Sequence, residues 1–313
     1  MTPIDTPPDY SLQILGSPDD SPYDSNGNHA LRISVLPHEF TDNQRAKPIV
    51  ARVLPRDRRG SGHVFEISPQ LGCVMGCKFC SHSPDKDALH RSLTPEQVVD
   101  QIKILEEQAV QRNFQINPYK INFTDGGELL LNPHCRDILV AVSRHLRRKI
   151  KISTVLPDLP IVRRNLEEVF DFMKDYEPGL SWQISLASTN EQGRQEKRQP
   201  QKRRVPLYPM EGIKDVCERI QQAYEGIRKA TLTFTLTVDS DCDPREIIDV
   251  LPPHLVRPRL HPFKENRTGC ESMPTDKIEE LRAAFIKAGY ADTAIDTLDE
   301  VESLELTKGK TDR

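Results

Sequence analysis

Three closely spaced cysteines, Cys73, Cys77 and Cys80, are the residues of this sequence best suited to hold a metal cluster. They follow a Cx3Cx2C spacing, and thiolate is the ligand that iron–sulfur clusters use. Three thiolates can bind three irons of a [4Fe–4S] cluster and leave the fourth iron open to another ligand. The small residues Gly72 and Gly76 allow the loop to curl tightly around such a cluster.

A structural zinc site is the alternative use of the same loop. Zinc in structural sites takes four ligands, and His82 is the nearby residue that can join the three cysteines. No second closely spaced cysteine pair follows in the sequence. The remaining cysteines are expected to be ordinary thiols: Cys135, Cys217, Cys242 and Cys270.

The cysteine spacing, with Phe79 directly before the last cysteine, resembles the signature of the radical S-adenosylmethionine (SAM) superfamily. In that superfamily the open iron binds SAM, and the reduced cluster cleaves SAM to a 5′-deoxyadenosyl radical. The cofactor carries the difficult chemistry and the protein orients it. The resemblance implies a [4Fe–4S] cluster and SAM as cofactors, Phe79 as a cofactor contact, and an electron donor such as flavodoxin or ferredoxin.

Hydrophobic periodicity places the cysteine loop in an alternation of strands and helices. Strands are predicted at 64–71, 120–125, 149–156, 180–188, 230–239, 256–263 and 290–296, and helices at 95–111, 135–148, 165–176, 212–227, 244–251 and 276–288. Such alternation implies βαβ units and a parallel sheet. The predicted fold class is α/β, a partial (βα)6 TIM-like barrel whose site lies at the carboxyl ends of the strands.

Composition suggests where the barrel begins and ends. Residues 1–30 are rich in Pro, Asp, Ser and Gly, which predicts a disordered or lid-like tail. Residues 31–60 contain two short β-like segments and predict a small N-terminal β extension. The barrel is expected over 61–300, and 301–313 is expected to be a C-terminal tail.

Small and polar residues follow the predicted second, third and fourth strands. Gly127 permits a close backbone approach, and the carboxylate of Glu128 can accept a hydrogen bond from the SAM amino group. A tight turn with a capping acid is the alternative. Ser153 and Ser185 can bind the carboxylate or ribose of SAM, although strand-end hydroxyls also satisfy local backbone groups.

Positively charged residues cluster after the fourth strand, between Arg194 and Arg204. Such a run is usually a solvated surface, but Arg194 and Arg198 are also suited to bind a phosphate or carboxylate of the substrate. After the sixth strand, His261 is a candidate substrate contact. Lys264 and Asn266 follow it as candidate SAM contacts.

Further motifs resemble the adenine-methylating radical SAM enzymes of 23S ribosomal RNA. The matching segments are Pro55-Arg56-Asp57-Arg58, Ser68 to Cys73, Cys77 to Ser81, His90 to Leu93, Gly127-Glu128, Ile152 to Val155, Ile184 to Ala187 and Leu260 to Phe263. The resemblance runs from about Leu54 to Tyr290. It implies SAM contacts at Gly127, Glu128, Ser153, Ser185 and Ala187, and another near Lys264 or Asn266.

The sequence departs from that family at the residues used for methyl transfer. The resemblance implies a resolving cysteine where this chain has Glu66, and a methyl-carrying cysteine near Leu306. No cysteine follows Cys270, and the family's base aligns with Val50. These departures predict that the radical abstracts hydrogen directly from a small substrate, and the basic run from Arg194 to Arg204 favours an anionic one such as a nucleotide or sugar phosphate. Glu66 is then a candidate acid or base.

Two other functions remain open. One is an RNA adenine methyltransferase that uses Cys270 or Cys242 instead, and the other is a non-enzymatic zinc or iron–sulfur protein. The net charge of −4 and pI of about 6.2 argue against the broad basic surface of a generic nucleic-acid binder, without excluding nucleic acid. No apolar run reaches membrane-spanning length, and Met1 to Asp5 lack a signal-peptide pattern, so a cytoplasmic protein is expected.

Overall fold

A ten-stranded mixed sheet dominates the computed structural model, which describes residues 11–19, 30–43, 45–55, 62–80, 89–124, 126–198, 205–263 and 268–296. The strands are β1 Leu12–Asp19, β2 Leu31–Pro37, β3 Ile49–Pro55, β4 His63–Ile67, β5 Gln70–Leu71, β6 Arg91–Ser92, β7 Pro118–Phe123, β8 Lys149–Thr154, β9 Leu180–Ser185, β10 Ala230–Leu236, β11 Val256–Pro262 and β12 Ala294–Ile295. The helices are α1 Pro95–Gln111, α2 Cys135–His145, α3 Pro160–Asp175, α4 Glu191–Glu196, α5 Met210–Ala223 and α6 Thr275–Lys287. Short 3₁₀ turns cover His38–Phe40, Leu129–Leu131 and Pro244–Glu246.

The strand order in the large sheet is β1-β2-β3-β4-β7-β8-β9-β10-β11-β12, and β5 and β6 form a separate ribbon. From β4 to β12 neighbouring strands are parallel, whereas β1 to β4 pair antiparallel. The parallel strands alternate with helices along the chain, as right-handed βαβ units require. The molecule is therefore an α/β protein with a partial TIM-like barrel, as predicted.

The two faces of the parallel strands differ in character because side chains alternate along a strand. The apolar face packs on the helices: Trp182 of β9 stacks on Phe170 of α3 at 5.7 Å between ring centroids, and Phe234 of β10 lies 5.4 Å from Phe285 of α6. The opposite, concave face carries polar and charged side chains. This polar face leads to the strand ends at which the candidate site lies.

Helix α1 shows how local sequence fixes an element. Its N-cap, Thr94, accepts a hydrogen bond from the backbone of Gln97, whose side chain in turn bonds the Thr94 backbone. Pro95 occupies the first helical position, where no backbone N–H is needed. The predicted helix at 95–111 is confirmed, and this capping box accounts for its start.

The N-terminal region differs from the expected tail. Residues 12–19 form strand β1, which pairs antiparallel with β2 from Leu12 opposite Pro37. Alternating apolar residues of this segment, such as the buried Leu12, are covered by the rest of the chain, which overrides the polar composition around them. The expected limit near residue 60 does not separate two sheets either, since Arg52 of β3 pairs with Glu66 of β4. Residues 1–10, 20–29 and 297–313 lie outside the described part of the chain.

Within the described residues, no helix combines the length and apolar character needed to cross a membrane.

Candidate cluster and SAM site

The cysteine loop leaves the barrel directly after β4 and β5. Cys73, Cys77 and Cys80 are all half-buried and none is in a disulfide. Gly72 and Gly76 have φ angles of +70° and +66°, which disfavour any residue with a Cβ. A Cβ on Gly72 would lie 2.6 Å from the Leu89 carbonyl oxygen. The glycines thus allow the tight loop that the sequence predicted.

A short strap, Lys197-Arg198, is bound to the cysteine loop. The backbone of Arg198 forms an antiparallel bridge with Cys77, and the Lys78 N–H donates to the Lys197 carbonyl at 2.8 Å. The Arg198 guanidinium donates through Nε to the Met75 carbonyl at 3.0 Å, and it also donates to the Val205 carbonyl. These contacts hold the backbone of the loop against the strap.

The strap corrects the prediction that Arg194 and Arg198 bind substrate. Arg194 is only 1 % exposed, and its guanidinium donates to the Tyr208 carbonyl at 2.8 Å and to Glu191 at 3.1 Å. Arg198 is also buried, in the contacts to the cysteine loop. Both guanidinium groups thus lie inside the chain, although Nε and Nη2 of Arg194 have no hydrogen-bond partner among the described residues. Residues 199–204 of the same basic run lie outside the described residues.

The turn after β7 brings Gly127 and Glu128 against the start of the cysteine loop. Gly127 has a φ of +136°, and a Cβ there would lie 2.7 Å from the Gln70 Cβ. The Gln70 side chain in turn accepts a hydrogen bond from the Glu128 N–H at 2.9 Å. Only glycine permits this approach, so the turn is fixed to the strand that leads to the cysteines.

The Glu128 carboxylate is buried and links two neighbouring strand ends. It accepts hydrogen bonds from the N–H of Leu130 at 3.3 Å and of Val155 at 3.0 Å. Burial raises the pKa of this carboxyl to about 7 despite these bonds, since removal from water penalises the charged form. The capping role that the sequence left open is therefore present, and the second oxygen reaches the loop after β8.

The remaining residues predicted to contact SAM lie at or beyond the ends of β8 and β9, in the cysteine loop, or after β11. The buried Ser153 Oγ has no hydrogen-bond partner among the described residues, which is unusual for a buried polar atom. Ser185 is half-buried at the end of β9, and Ala187 has a φ of +63° just beyond it. Phe79 is half-buried between the last two cysteines. Lys264 and Asn266 lie outside the described residues.

Glu66, the candidate acid or base, is in a buried ion pair. Its carboxylate lies 3.3 Å from the Arg52 guanidinium, and both side chains are less than a tenth exposed. The Arg52 guanidinium therefore occupies the carboxylate that the prediction had left free for catalysis. The contact therefore favours a structural role for Glu66 over the catalytic one predicted from sequence.

His261 has a partner that sequence reasoning missed. Its Nδ1 lies 2.7 Å from Asp296, a buried residue that directly follows β12. Asp296 also forms a close ion pair with Arg259; burial alone would raise the pKa of Asp296, but the hydrogen bond with His261 and the charge of Arg259 lower it. The predicted final strand at 290–296 contains Asp296, but no sequence pattern indicated that its carboxylate contacts His261.

A match to the family model of the radical SAM superfamily covers residues 67–251. Since this is more than half of the chain, the chain belongs to the radical SAM superfamily and is an enzyme. The family uses a [4Fe–4S] cluster and SAM. The three thiolates, the unpartnered Ser153 hydroxyl and the glycine-shaped turn at Gly127 fit these cofactors.

The chain is also similar in sequence to curated RNA methyltransferases. It is 39% identical over 93 residues to a probable dual-specificity RNA methyltransferase RlmN of Synechococcus sp. (strain RCC307), which covers 28% of this chain and 25% of that protein. It is 26% identical over 185 residues to the RlmN of Chlorobium luteolum, which covers 58% of this chain and 49% of that protein. The chain thus spans half or less of the length of these relatives.

The structure of a radical SAM methyltransferase from Sphaerobacter thermophilus shares the fold, with a TM-score of 0.69 at 19% identity. The match covers 92% of this chain and 77% of that one.

Proposed function

We propose that this radical SAM enzyme abstracts hydrogen directly from a small, anionic substrate held at the strand ends. The main support for this proposal is the set of side chains on the concave face of the barrel. Its strands present hydroxyl, amide and charged groups there, and none of the described strands contributes a cysteine. A thiol-mediated methyl transfer needs sulfur at the reacting centre, whereas direct abstraction needs only a substrate held beside SAM.

When bound, the cluster and SAM would supply the radical chemistry that activates a substrate C–H bond. The chain's own residues have three tasks. Cys73, Cys77 and Cys80 would hold the cluster. Gly127 and Glu128 would bind the SAM amino group, Ser153 and Ser185 would bind its carboxylate or ribose, and Ala187 would be a further SAM contact. The polar face below these residues binds and orients the substrate.

Methyl transfer to an RNA adenine through Cys270 is the second candidate. The relatives are named RNA methyltransferases, and one contact favours this thiol: the Cys270 Sγ lies 3.7 Å from the Lys78 carbonyl oxygen, at the cysteine loop. Cys270 is half-buried and belongs to no strand. It is therefore the thiol best placed to carry a methyl group near the cluster.

One experiment separates the two candidates. The full chain is reconstituted anaerobically with iron and sulfide, then incubated with methyl-labelled SAM and dithionite. Direct abstraction predicts release of 5′-deoxyadenosine with no label on the protein. Cys77→Ser should release none, because it removes a cluster ligand.

A labelled methyl group on the Cys270 peptide of the wild type, and its loss in Cys270→Ala, would instead establish methyl transfer. Colourless protein that holds zinc and releases no 5′-deoxyadenosine would contradict both candidates.

A further inference from the structure

The concave face of the barrel remains partly open to solvent. Along β8, β9 and β11 the helix-facing residues are buried, whereas the alternate residues toward the strand ends stay half-exposed. These half-exposed residues are Lys151, Ser153, Gln183, Ser185, Arg259 and His261. These polar side chains therefore keep part of their surface accessible on the face that leads to the strand ends, where a ligand can reach them.

The charges on this face are unevenly matched. The Glu66 carboxylate is paired with Arg52, and Asp296 is shared between Arg259 and His261. Lys151 has no such acidic partner among the described residues. Its Nζ donates to the Gln183 side-chain oxygen at 3.0 Å, which is a neutral amide. Among the described residues, no carboxylate therefore lies within ion-pair distance of the Lys151 Nζ.

Other buried polar atoms on the same face also lack a hydrogen-bond partner among the described residues. The Oγ of Ser153 and the Oγ1 of Thr233 are buried without a hydrogen bond among the described residues, and so is the Oδ1 of Asn122. Thr233 and Asn122 are each 5% exposed. Unpaired buried polar atoms are costly, so in native proteins they usually contact water or a ligand.

We propose that the barrel interior contains an anion-binding subsite centred on Lys151, which takes the carboxylate or phosphate group of the substrate. Gln183 orients the ammonium group toward the interior. Ser153 lies two residues farther along β8, roughly 7 Å nearer the strand end. An anion at Lys151 therefore places the rest of the substrate toward the SAM side of the barrel.

The electrostatic surroundings of Lys151 support this assignment, which rests on the proposed function for its link to a substrate. Burial and the neighbouring cations Lys120 and Arg259 lower the pKa of Lys151 to about 7, while Glu66 and Asp296 only partly oppose them. An anion would offset this surplus of positive charge. By linkage, an anion that favours protonated Lys151 also stabilises the folded protein.

The test uses Lys151→Met and, as its matched control, Lys149→Met, which removes an exposed lysine from the same strand. The cluster-loaded full chain is melted in increasing inorganic phosphate, or in acetate, at constant ionic strength and constant pH. For the wild type and Lys149→Met, at least one anion should raise the melting temperature in a saturable way. For Lys151→Met the apparent affinity should fall by about tenfold or more.

Protection by phosphate alone assigns a phosphate-bearing substrate, and protection by acetate alone a carboxylate. The proposal is wrong if neither anion protects the wild type saturably, or if Lys151→Met responds as the wild type does. Folding of Lys151→Met is checked by its anion-free melt, and Lys151→Gln provides a second variant. No SAM turnover is measured, so this test and the 5′-deoxyadenosine test can fail independently.

Discussion

At the scale of the residue, the role of each charged group is set by what it touches. Glu128 bonds two backbone N–H groups from inside the protein, and it is half protonated near neutral pH because burial raises its pKa to about 7. The ammonium group of SAM would favour the carboxylate form. SAM binding at Glu128 should therefore release a proton in mildly acidic solution.

We expect SAM to bind the wild type more weakly as the pH falls from about 7 to about 5.5, by at most tenfold per unit. The sign follows because protonated Glu128 must lose its proton before it can pair with the ammonium group. Equilibrium dialysis with labelled SAM measures this dependence.

Glu128→Gln keeps the shape and can still accept the Val155 N–H, but it cannot ionise. The Glu128→Gln variant should bind SAM more weakly at pH 7, and its SAM affinity should not change with pH across this range. If the SAM affinity of wild type and of Glu128→Gln changed equally with pH, Glu128 would be excluded as the group responsible.

At the scale of the element, the strap Lys197-Arg198 gives the cysteine loop its second support. The loop's own turn contributes a further bond, in which the Cys80 N–H donates to the Cys77 carbonyl at 3.2 Å. Arg198 adds hydrogen bonds to the carbonyls of Met75 and Val205. Such support around a metal site keeps its ligands in a binding geometry.

Arg198→Met should therefore lower the iron retained per chain after reconstitution and gel filtration, by several-fold on the scale of other supporting residues around metal sites. The methionine fills similar space but offers no donor. Arg245→Met is the control, because the side chain of that arginine is 86% exposed and pairs with its near neighbour Asp243, far from the cysteine loop in sequence. Unchanged iron in Arg198→Met would show that the strap is not needed for cluster retention.

At the scale of the whole molecule, the open polar interior of the barrel has a cost in stability. Lys151 has a pKa of about 7 in the folded chain against 10.5 as its ordinary value. Between these values the unfolded chain binds more protons than the folded one, so the free energy of unfolding rises with pH. The loss of unfolding free energy caused by burying Lys151 is therefore largest below about pH 7 and becomes smaller as the pH rises above it.

The wild type should gain up to about 1.4 kcal/mol of unfolding free energy per pH unit from this residue between about pH 7 and about pH 8.5. Lys151→Met should be more stable than the wild type at pH 7, and the difference should shrink across that range. Urea unfolding of both proteins measures it. A constant difference across the range would contradict a lowered pKa of Lys151.

The sequence by itself determined the features that depend on near neighbours along the chain. The Cx3Cx2C spacing predicted the cluster ligands, the Thr94–Gln97 capping box set the start of α1, and alternating hydrophobicity predicted the parallel strands. Each is a local pattern, because a turn or a strand period relates residues only a few positions apart.

Only the tertiary structure decided which polar side chains are free to act. Glu66 meets Arg52 across two strands, Asp296 reaches His261 from 35 positions away, and Arg198 reaches Met75 over 123. These pairings occupy charged groups that the sequence had suggested for catalysis or substrate binding. Lys151, in contrast, contacts a neutral amide. Charges far apart in sequence become partners only when the sheet closes, so their roles are fixed by burial and distance rather than by residue type.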